Sequence, residues 1–339
     1  MILVTGGTGL IGSHLLYQLL HTEERIRVLK RKGSKTEDVK NIFSYYSKNA
    51  NALFAKIEWI DGDIMDIPSL MNAMNDVSQV YHCAAIVSLG GKNAKDMVQN
   101  NVDGTANVVN VAIQKKIQKL CHVSSVAALG IDDKKEITEQ SSWNDKSNFS
   151  MYAIGKYLSE NEVWRGIQEG LNAIIVNPSY VIGPGNWHRS KKDIFLTATN
   201  GLRWYTEGSS GFVDVRNVAD CMIQLVNSSI SNERFILSSE NLSYKKFLEL
   251  IHISLNRPLP TNKAGKHLLK VVRTIDGLKN LFMNSPAVIT KEIATYSTIQ
   301  LHYNNKKIKT VLNYCFIPIE QSIKETSLHF LNENNSSEK

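Results

Sequence analysis

Three side chains have the types that interconverting a carbonyl and an alcohol requires: Ser125, Tyr152 and Lys156. Reducing a ketone needs a proton donor for the developing alkoxide, and the reverse reaction needs a base for the alcohol proton. Tyr152-Ala153-Ile154-Gly155-Lys156 falls in a segment read as a helix, so the i,i+4 spacing puts phenol and amine on one face. A free tyrosine, with a pKa of about 10, is poorly matched to neutral pH, and an adjacent ammonium favours the phenolate. The pair therefore predicts a lowered Tyr152 pKa. By itself Y-x-x-x-K is common, with a packing tyrosine and a surface lysine as the plainer reading. Ser125 alters that balance. It stands just past an apolar run, in Val123-Ser124-Ser125-Val126-Ala127-Ala128-Leu129-Gly130, where its hydroxyl can reach both a substrate oxygen and the phenol. Ser124 competes for the same role.

A second constellation opens the chain. Gly6-Gly7-Thr8-Gly9-Leu10-Ile11-Gly12 follows the apolar run that ends at Thr5 and leads into a helical period. Gly6 permits a tight turn, Gly9 lets backbone approach a pyrophosphate, and Gly12 allows close packing of helix on strand. The N–H groups of the helix that begins at Leu10 and Ile11 face the anion. An ordinary glycine turn is the competing reading. About 20 residues on, dinucleotide sites for NAD place an acid against the ribose hydroxyls. Val28-Leu29-Lys30-Arg31-Lys32 has three cations there and no acid. Arg31 can grip a 2′-phosphate at two points, so NADP is predicted and NAD stays open beside a merely solvated basic strand end.

These groups must be positioned by regular elements, and the hydrophobic periods supply them. Ile2–Thr5, Arg25–Lys30, Ile57–Ile60, Gln79–Cys83, Lys119–Ser124 and Ala173–Asn177 are short and rich in Val or Ile, which predicts strands. Leu10–His21, Asp96–Gln114 and Ser150–Glu169 predict helices, the second with its apolar stripe at Val98, Val102, Ala106, Val109 and Ile113. Such alternation builds β-α-β units and a doubly wound parallel sheet, an α/β Rossmann fold. Asp38–Phe54 predicts one extra helix. A basic loop and helix are expected over His188–Thr199, strands at Phe212–Val215 and Arg234–Leu237, and mostly helix from Ser243 onward. The domain reading is a nucleotide-binding unit over 1–184, its sheet completed by parts of 211–240, and a smaller, mainly helical substrate lobe over 185–332. Residues 333–339 are expected to fray.

Composition bounds the remaining classes. The chain has 339 residues, 42% of them hydrophobic and 21% charged, with a net charge of +7. That is an ordinary globular composition, and the cations are too dispersed for a nucleic-acid binder. Cys83, Cys121, Cys221 and Cys315 lie apart, without C-x-x-C or histidines at zinc-ligand spacing, so reduced thiols and no metal are expected. The start at Met1-Ile2-Leu3 leaves no secretory leader, and no apolar stretch reaches the roughly 20 residues of a membrane span. A cytoplasmic protein acting on a small molecule, with neither nucleic acid nor membrane as partner, is the expectation.

The interval G-x-x-G-x-x-G after Thr5, then Ser125 before Gly130, then Tyr152-x-x-x-Lys156, resembles the extended branch of the short-chain dehydrogenase/reductase superfamily. The resemblance covers about residues 1 to 237. It makes Ser125 rather than Ser124 the catalytic serine. It assigns adenine contact to Asp63, with Ile64 beside it, and cofactor contact to Ala84 and Ala85 of His82-Cys83-Ala84-Ala85. Asn101-Val102-Asp103-Gly104-Thr105-Ala106-Asn107 matches the family's N-V-x-G-T-x-N helix, and Asn177-Pro178-Ser179 its nicotinamide contact. Phe212-Val213-Asp214-Val215-Arg216-Asn217-Val218-Ala219 resembles F-V-D-V-x-D-V-A, with Asn217 in place of an acid; Asp214 and Asn217 are read as structural. Val126 and Ala127 stand where dehydratases of the superfamily have Asp-Glu, and Gly211 to Val215 lacks the arginine of sugar epimerases. The chain is thus closer to the dihydroflavonol reductase and 3β-hydroxysteroid dehydrogenase groups. The resemblance implies NADP(H)-dependent reduction of an apolar carbonyl, with an NAD-holding epimerase and a non-catalytic sensor or scaffold as alternatives. It also implies a homodimer through the helices containing Asn107 and Tyr152. Trp187, His188, Arg189, Lys191 and Lys192 are read as a basic patch, either solvated or facing an anionic substrate group.

Overall fold

The computed structural model describes residues 1–22, 25–87, 94–130, 136–143, 149–185, 187, 193–265, 268 and 296–337, the last four without their side chains. The apolar runs become strands and the helical periods become helices. In order come β1 (Ile2–Thr5), α1 (Leu10–Thr22), β2 (Ile26–Lys30), α2 (Glu37–Tyr46), α3 (Ala50–Ala55), β3 (Ile57–Asp61), α4 (Ile67–Ala73) and β4 (Gln79–His82). Then follow α5 (Ala94–Gln114), β5 (Lys119–Val123), α6 (Met151–Gln168) and β6 (Ala173–Pro178). The later half contributes β7 (Tyr180–Ile182), α7 (Ile194–Thr199), β8 (Trp204–Tyr205), β9 (Ser209–Asp214), α8 (Val215–Asn227) and β10 (Glu233–Leu237). It ends with β11 (Glu240–Ser243), α9 (Tyr244–Ser254), β12 (Asn262–Lys263), α10 (Lys306–Leu312) and α11 (Ile319–Ser337).

Seven strands form one sheet in the order β10-β6-β5-β4-β1-β2-β3, every neighbouring pair parallel. The winding reverses between β1 and β4, and that reversal opens a crevice at their carboxyl ends. Both faces are covered. Leu15, Leu19, Phe43, Val218 and Met222 pack one core against the sheet, and Leu70, Val108, Val109, Leu120 and Val163 pack the other. A third core, with Phe195, Phe212, Phe247, Ile251, Ile319 and Phe330, holds the smaller lobe together. Strands β11-β9-β7 form its separate three-stranded sheet, so β10 alone of the 211–240 segment joins the main one.

The departures from the sequence expectations are in detail. The 38–54 helix is two helices, α2 and α3, with the break at Ser47–Asn49. The buried stripe of α5 is broader than expected and includes Met97, Asn101, Thr105, Val108 and Ala112; of the expected stripe Val109 is buried, while Val98, Val102, Ala106 and Ile113 are half-buried. Polar Asn101 and Thr105 take inward positions because Ile86, in the loop after β4, and His82, on β4, bond them, as described below. Beyond Ser243 the described residues are mainly helical, in α9, α10 and α11, with the two-residue β12 paired to β8. Helix α11 runs on to Ser337, and the Tyr45 hydroxyl donates to the Glu333 carboxylate. No helix among the described residues is long and apolar enough to cross a membrane.

Candidate active site

The crevice between β1 and β4 contains a cavity of about 420 Å3 lined by Thr5, Gly6, Gly9, Arg31, Asp63, Ile64, Ala84 and Ala85, among others. Its floor is a close approach of two backbones. Gly6 has φ of 71°, and a Cβ there would lie 2.5 Å from the Ala84 nitrogen. Only glycine meets both conditions. The Gly9 N–H donates to the Gly6 carbonyl at 3.0 Å, closing the turn. Gly12 presses on the same carbonyl from α1. Leu10 lines a smaller adjoining space with Gly9, Trp187 and Asp193, and Ile11 is half-buried against the core. Backbone packed this closely beneath the N-terminus of α1 is the cradle a dinucleotide's pyrophosphate requires.

Helix α5 fixes the two loops that wall this cavity. Asn101 accepts from the Ile86 N–H at 2.7 Å and donates to the Ile86 carbonyl at 2.8 Å, clasping the loop after β4. Asn107 donates to the Ile64 carbonyl at 3.1 Å, holding the loop after β3. Thr105 uses its proton on the Asn101 carbonyl at 2.8 Å, so it must accept from His82 Nε2 at 3.1 Å. His82 Nδ1 then accepts from the Thr5 hydroxyl at 2.7 Å. Burial, with help from the Lys156 charge, lowers the His82 pKa to about 3, so the ring is neutral in this chain of bonds. The N-V-x-G-T-x-N helix thus ties Thr5, the Cys83–Ile86 loop and Ile64 into one frame.

At the carboxyl end of β5, three consecutive residues each meet α6. The Lys156 Nζ donates to the Val123 carbonyl at 2.9 Å. Ser124 donates to the buried Glu160 carboxylate at 2.6 Å. Ser125 accepts from the Ala127 N–H at 3.1 Å and lies near enough to the Tyr152 phenol to act on its proton affinity. The serine facing the phenol is therefore Ser125. Ser150 starts α6 by accepting from the Ala153 N–H at 3.0 Å, which sets where Tyr152 leaves the first turn. The predicted lowering of the Tyr152 pKa is overturned: burial raises it, with only the Ser125 hydrogen bond opposing. Lys156 is itself buried, and desolvation lowers its pKa to about 8 against the opposing pull of Cys83 and Glu160. Its ammonium therefore loses its proton more readily than that of a solvated lysine.

The other predicted residues divide clearly. Arg31 is exposed at the cavity rim, while its neighbour Lys30 is ion-paired with Asp61. Asp63 lines the cavity, and its carboxylate accepts from the Met65 N–H at 2.9 Å. Asn177, Pro178 and Ser179 are buried and absent from its lining. Asn177 donates to the Ser125 carbonyl at 3.0 Å and to Glu160 at 2.7 Å, and Ser179 donates to the Leu237 carbonyl at 3.2 Å. Asp214 caps α8 and pairs with Arg216; Asn217 bonds the Tyr314 hydroxyl and the Ile317 N–H. Both are structural. Trp187 is buried at 3% exposure, so it belongs to the lobe core and not to a basic surface patch. His188, Arg189, Lys191 and Lys192 lie outside the described residues. All four cysteines are free, and the described residues contain no cluster of three metal-ligating side chains.

Sequence reasoning missed Cys83, Ile86 and Asn101 as cavity residues and Glu160 as the partner of Ser124 and Asn177. For Glu160 a signal was available. It lies one helical step beyond Tyr152 and Lys156, at i+8, on the same face of α6.

With this geometry in place, similarity to known proteins is specific. A protein of Synechocystis sp. named "Putative dihydroflavonol 4-reductase" is 30% identical over 273 residues, covering 76% of this chain and 74% of its own. Cinnamoyl-CoA reductase 1 of Petunia hybrida is 26% identical over 273 residues, 77% of this chain and 79% of its own. The crystal structure of gox2253 superposes with a TM-score of 0.81 at 26% identity, covering 98% of each chain. The model of the NAD dependent epimerase/dehydratase family matches residues 2–237, and the chain belongs to that family, within the extended short-chain dehydrogenases/reductases.

Proposed function

We propose that the protein is an NADP(H)-dependent oxidoreductase that interconverts an apolar carbonyl compound and its primary or secondary alcohol. What carries this reading is the meeting of Ser125 and Tyr152 beside buried Lys156, which lies close to Cys83 of the cavity lining. When bound, the nicotinamide supplies the hydride that reduces the carbonyl carbon. Tyr152 gives its phenolic proton to the oxygen that becomes the alcohol. A phenol whose pKa is raised by burial is protonated at neutral pH and ready to donate. Ser125 donates a hydrogen bond to that oxygen as negative charge develops. Lys156 holds the ribose and supplies the positive charge that limits the phenolate's cost.

Three features favour reduction over the other chemistries of the family. Val126 and Ala127 offer no acid–base pair for eliminating water. Exposed Ile86, in the loop after β4, gives the cavity wall an apolar group, with exposed Val87 next to it in the chain. Arg31 is the one of the two adjoining rim cations not taken up by Asp61, which favours a 2′-phosphate. The two reductases named above point the same way. The reading extends to a small-molecule substrate, a cytoplasmic setting in keeping with four free thiols, and a homodimer through α5 and α6.

The test follows NADPH absorbance with a panel of aryl and alkyl aldehydes and ketones beside a panel of nucleotide sugars. Oxidation of NADPH by carbonyl compounds is expected. Conversion of a nucleotide sugar with no net cofactor oxidation would establish the epimerase instead, and tight NADPH binding with no turnover on either panel would establish the sensor.

A further inference from the structure

The scheme above leaves one buried charge unused. Glu160 is 2% exposed, and both of its oxygens are filled. Oε2 accepts from Ser124 Oγ at 2.6 Å and Asn177 Nδ2 at 2.7 Å; Oε1 accepts from Arg234 Nη1 at 3.0 Å and Trp164 Nε1 at 3.2 Å. The donors come from the ends of β5 and β6, from β10 and from α6 itself. Withdrawing a carboxylate from water costs several kcal/mol, so burial of this kind is a weak device for stability alone. What the bonds do achieve is registration. Ser124 stands between Val123, which accepts from Lys156, and Ser125, which faces Tyr152. Asn177 joins the Glu160 carboxylate to the Ser125 carbonyl.

We propose that Glu160 is a positioning residue of this site, its buried carboxylate fastening the strand ends that carry Ser125 to the helix that carries Tyr152 and Lys156. The kinetic part of this inference rests on the carbonyl-reduction reading; the electrostatic part does not. Lys156 is faced by Tyr152 and Glu160 on its own helix, by Cys83 and His82 at the end of β4, and by His122 on β5, with Arg234 of β10 beyond Glu160. Burial keeps both histidines neutral and the Cys83 thiol protonated, with a pKa of about 12. Of these neighbours, Glu160 is thus the one whose negative charge holds the Lys156 ammonium in place at neutral pH.

Two variants move that charge balance in opposite directions. Glu160→Gln keeps the shape and removes the anion, and Arg234→Gln removes the cation that opposes it. The Lys156 side-chain NMR signal, identified by its loss in Lys156→Met, is titrated in the cofactor-free protein. Glu160→Gln should lower its midpoint by about one pH unit and Arg234→Gln should raise it by a smaller amount. Unchanged midpoints in both variants overturn the proposal. If Glu160→Gln does not fold, the Arg234→Gln titration decides alone, an upward shift supporting and no shift overturning. On a carbonyl turned over by the wild type, Glu160→Gln should lose about tenfold or more in kcat with the KM for NADPH nearly unchanged. Its alkaline limb should also move to lower pH. A wild type inert on every carbonyl sinks the reduction reading, while the titration still judges Glu160.

Discussion

Gly12 packs against Gly6 so closely that a methyl group on Gly12 would lie 2.3 Å from the Gly6 carbonyl oxygen. The first turn of α1 and the end of β1 are therefore in direct backbone contact, and the anion cradle exists because neither residue has a side chain. Gly12→Ala should lower stability by roughly 1–3 kcal/mol and weaken NADPH binding about tenfold or more. At Gly9 the same group would be 3.3 Å from that oxygen, so Gly9→Ala should cost the fold less. Thermal melts with a cofactor titration check both, and equal melting temperatures for Gly12→Ala and wild type would contradict the packing argument.

Arg31 is expected to discriminate between cofactors. Its guanidinium is exposed at the cavity rim, whereas Lys30 is held by Asp61. Arg31→Ala should weaken NADPH by about tenfold to a hundredfold, the range for losing hydrogen bonds to a charged group, and leave NADH within about twofold. Fluorescence titrations with each cofactor read this directly. A loss of the same size for both would place Arg31 elsewhere than on a 2′-phosphate.

The phenol should prove indispensable to turnover and dispensable to binding. Tyr152→Phe removes the proton donor and keeps the ring, so kcat should fall by about a hundredfold to ten-thousandfold with NADPH affinity almost intact. Retention of wild-type turnover on a confirmed substrate would remove Tyr152 from its role.

Lys156 makes stability depend on pH. Its pKa is about 8 in the folded protein and 10.5 ordinarily, so between those values the unfolded chain binds more protons and stability rises with pH. The cost of burying the ammonium, about 3 kcal/mol, is fully present below pH 8 and relieved by about pH 10.5. Lys156→Met lacks this dependence. Denaturant unfolding at pH 7 and pH 10 should therefore show the wild type gaining on the variant at the higher pH; a constant difference would mean that Lys156 is not desolvated.

Some of this protein was decided by its sequence alone. Runs of four to six apolar residues alternating with helical periods sufficed for the β-α-β units, because period and propensity are local properties of the chain. The glycine cradle and the i,i+4 pairing of Tyr152 with Lys156 were legible for the same reason. Tertiary structure decided what depends on neighbours distant along the chain. Asn101 and Thr105 point inward on α5 because Ile86 and His82 bond them there, although the apolar stripe alone indicated the adjacent face. Ser124 and Ser125 are chemically alike, and only the carboxylate of Glu160 on one side and the phenol of Tyr152 on the other tell them apart. The Tyr152 pKa moved opposite to expectation because desolvation is set by everything that surrounds a group, whereas spacing along a helix reports only one neighbour.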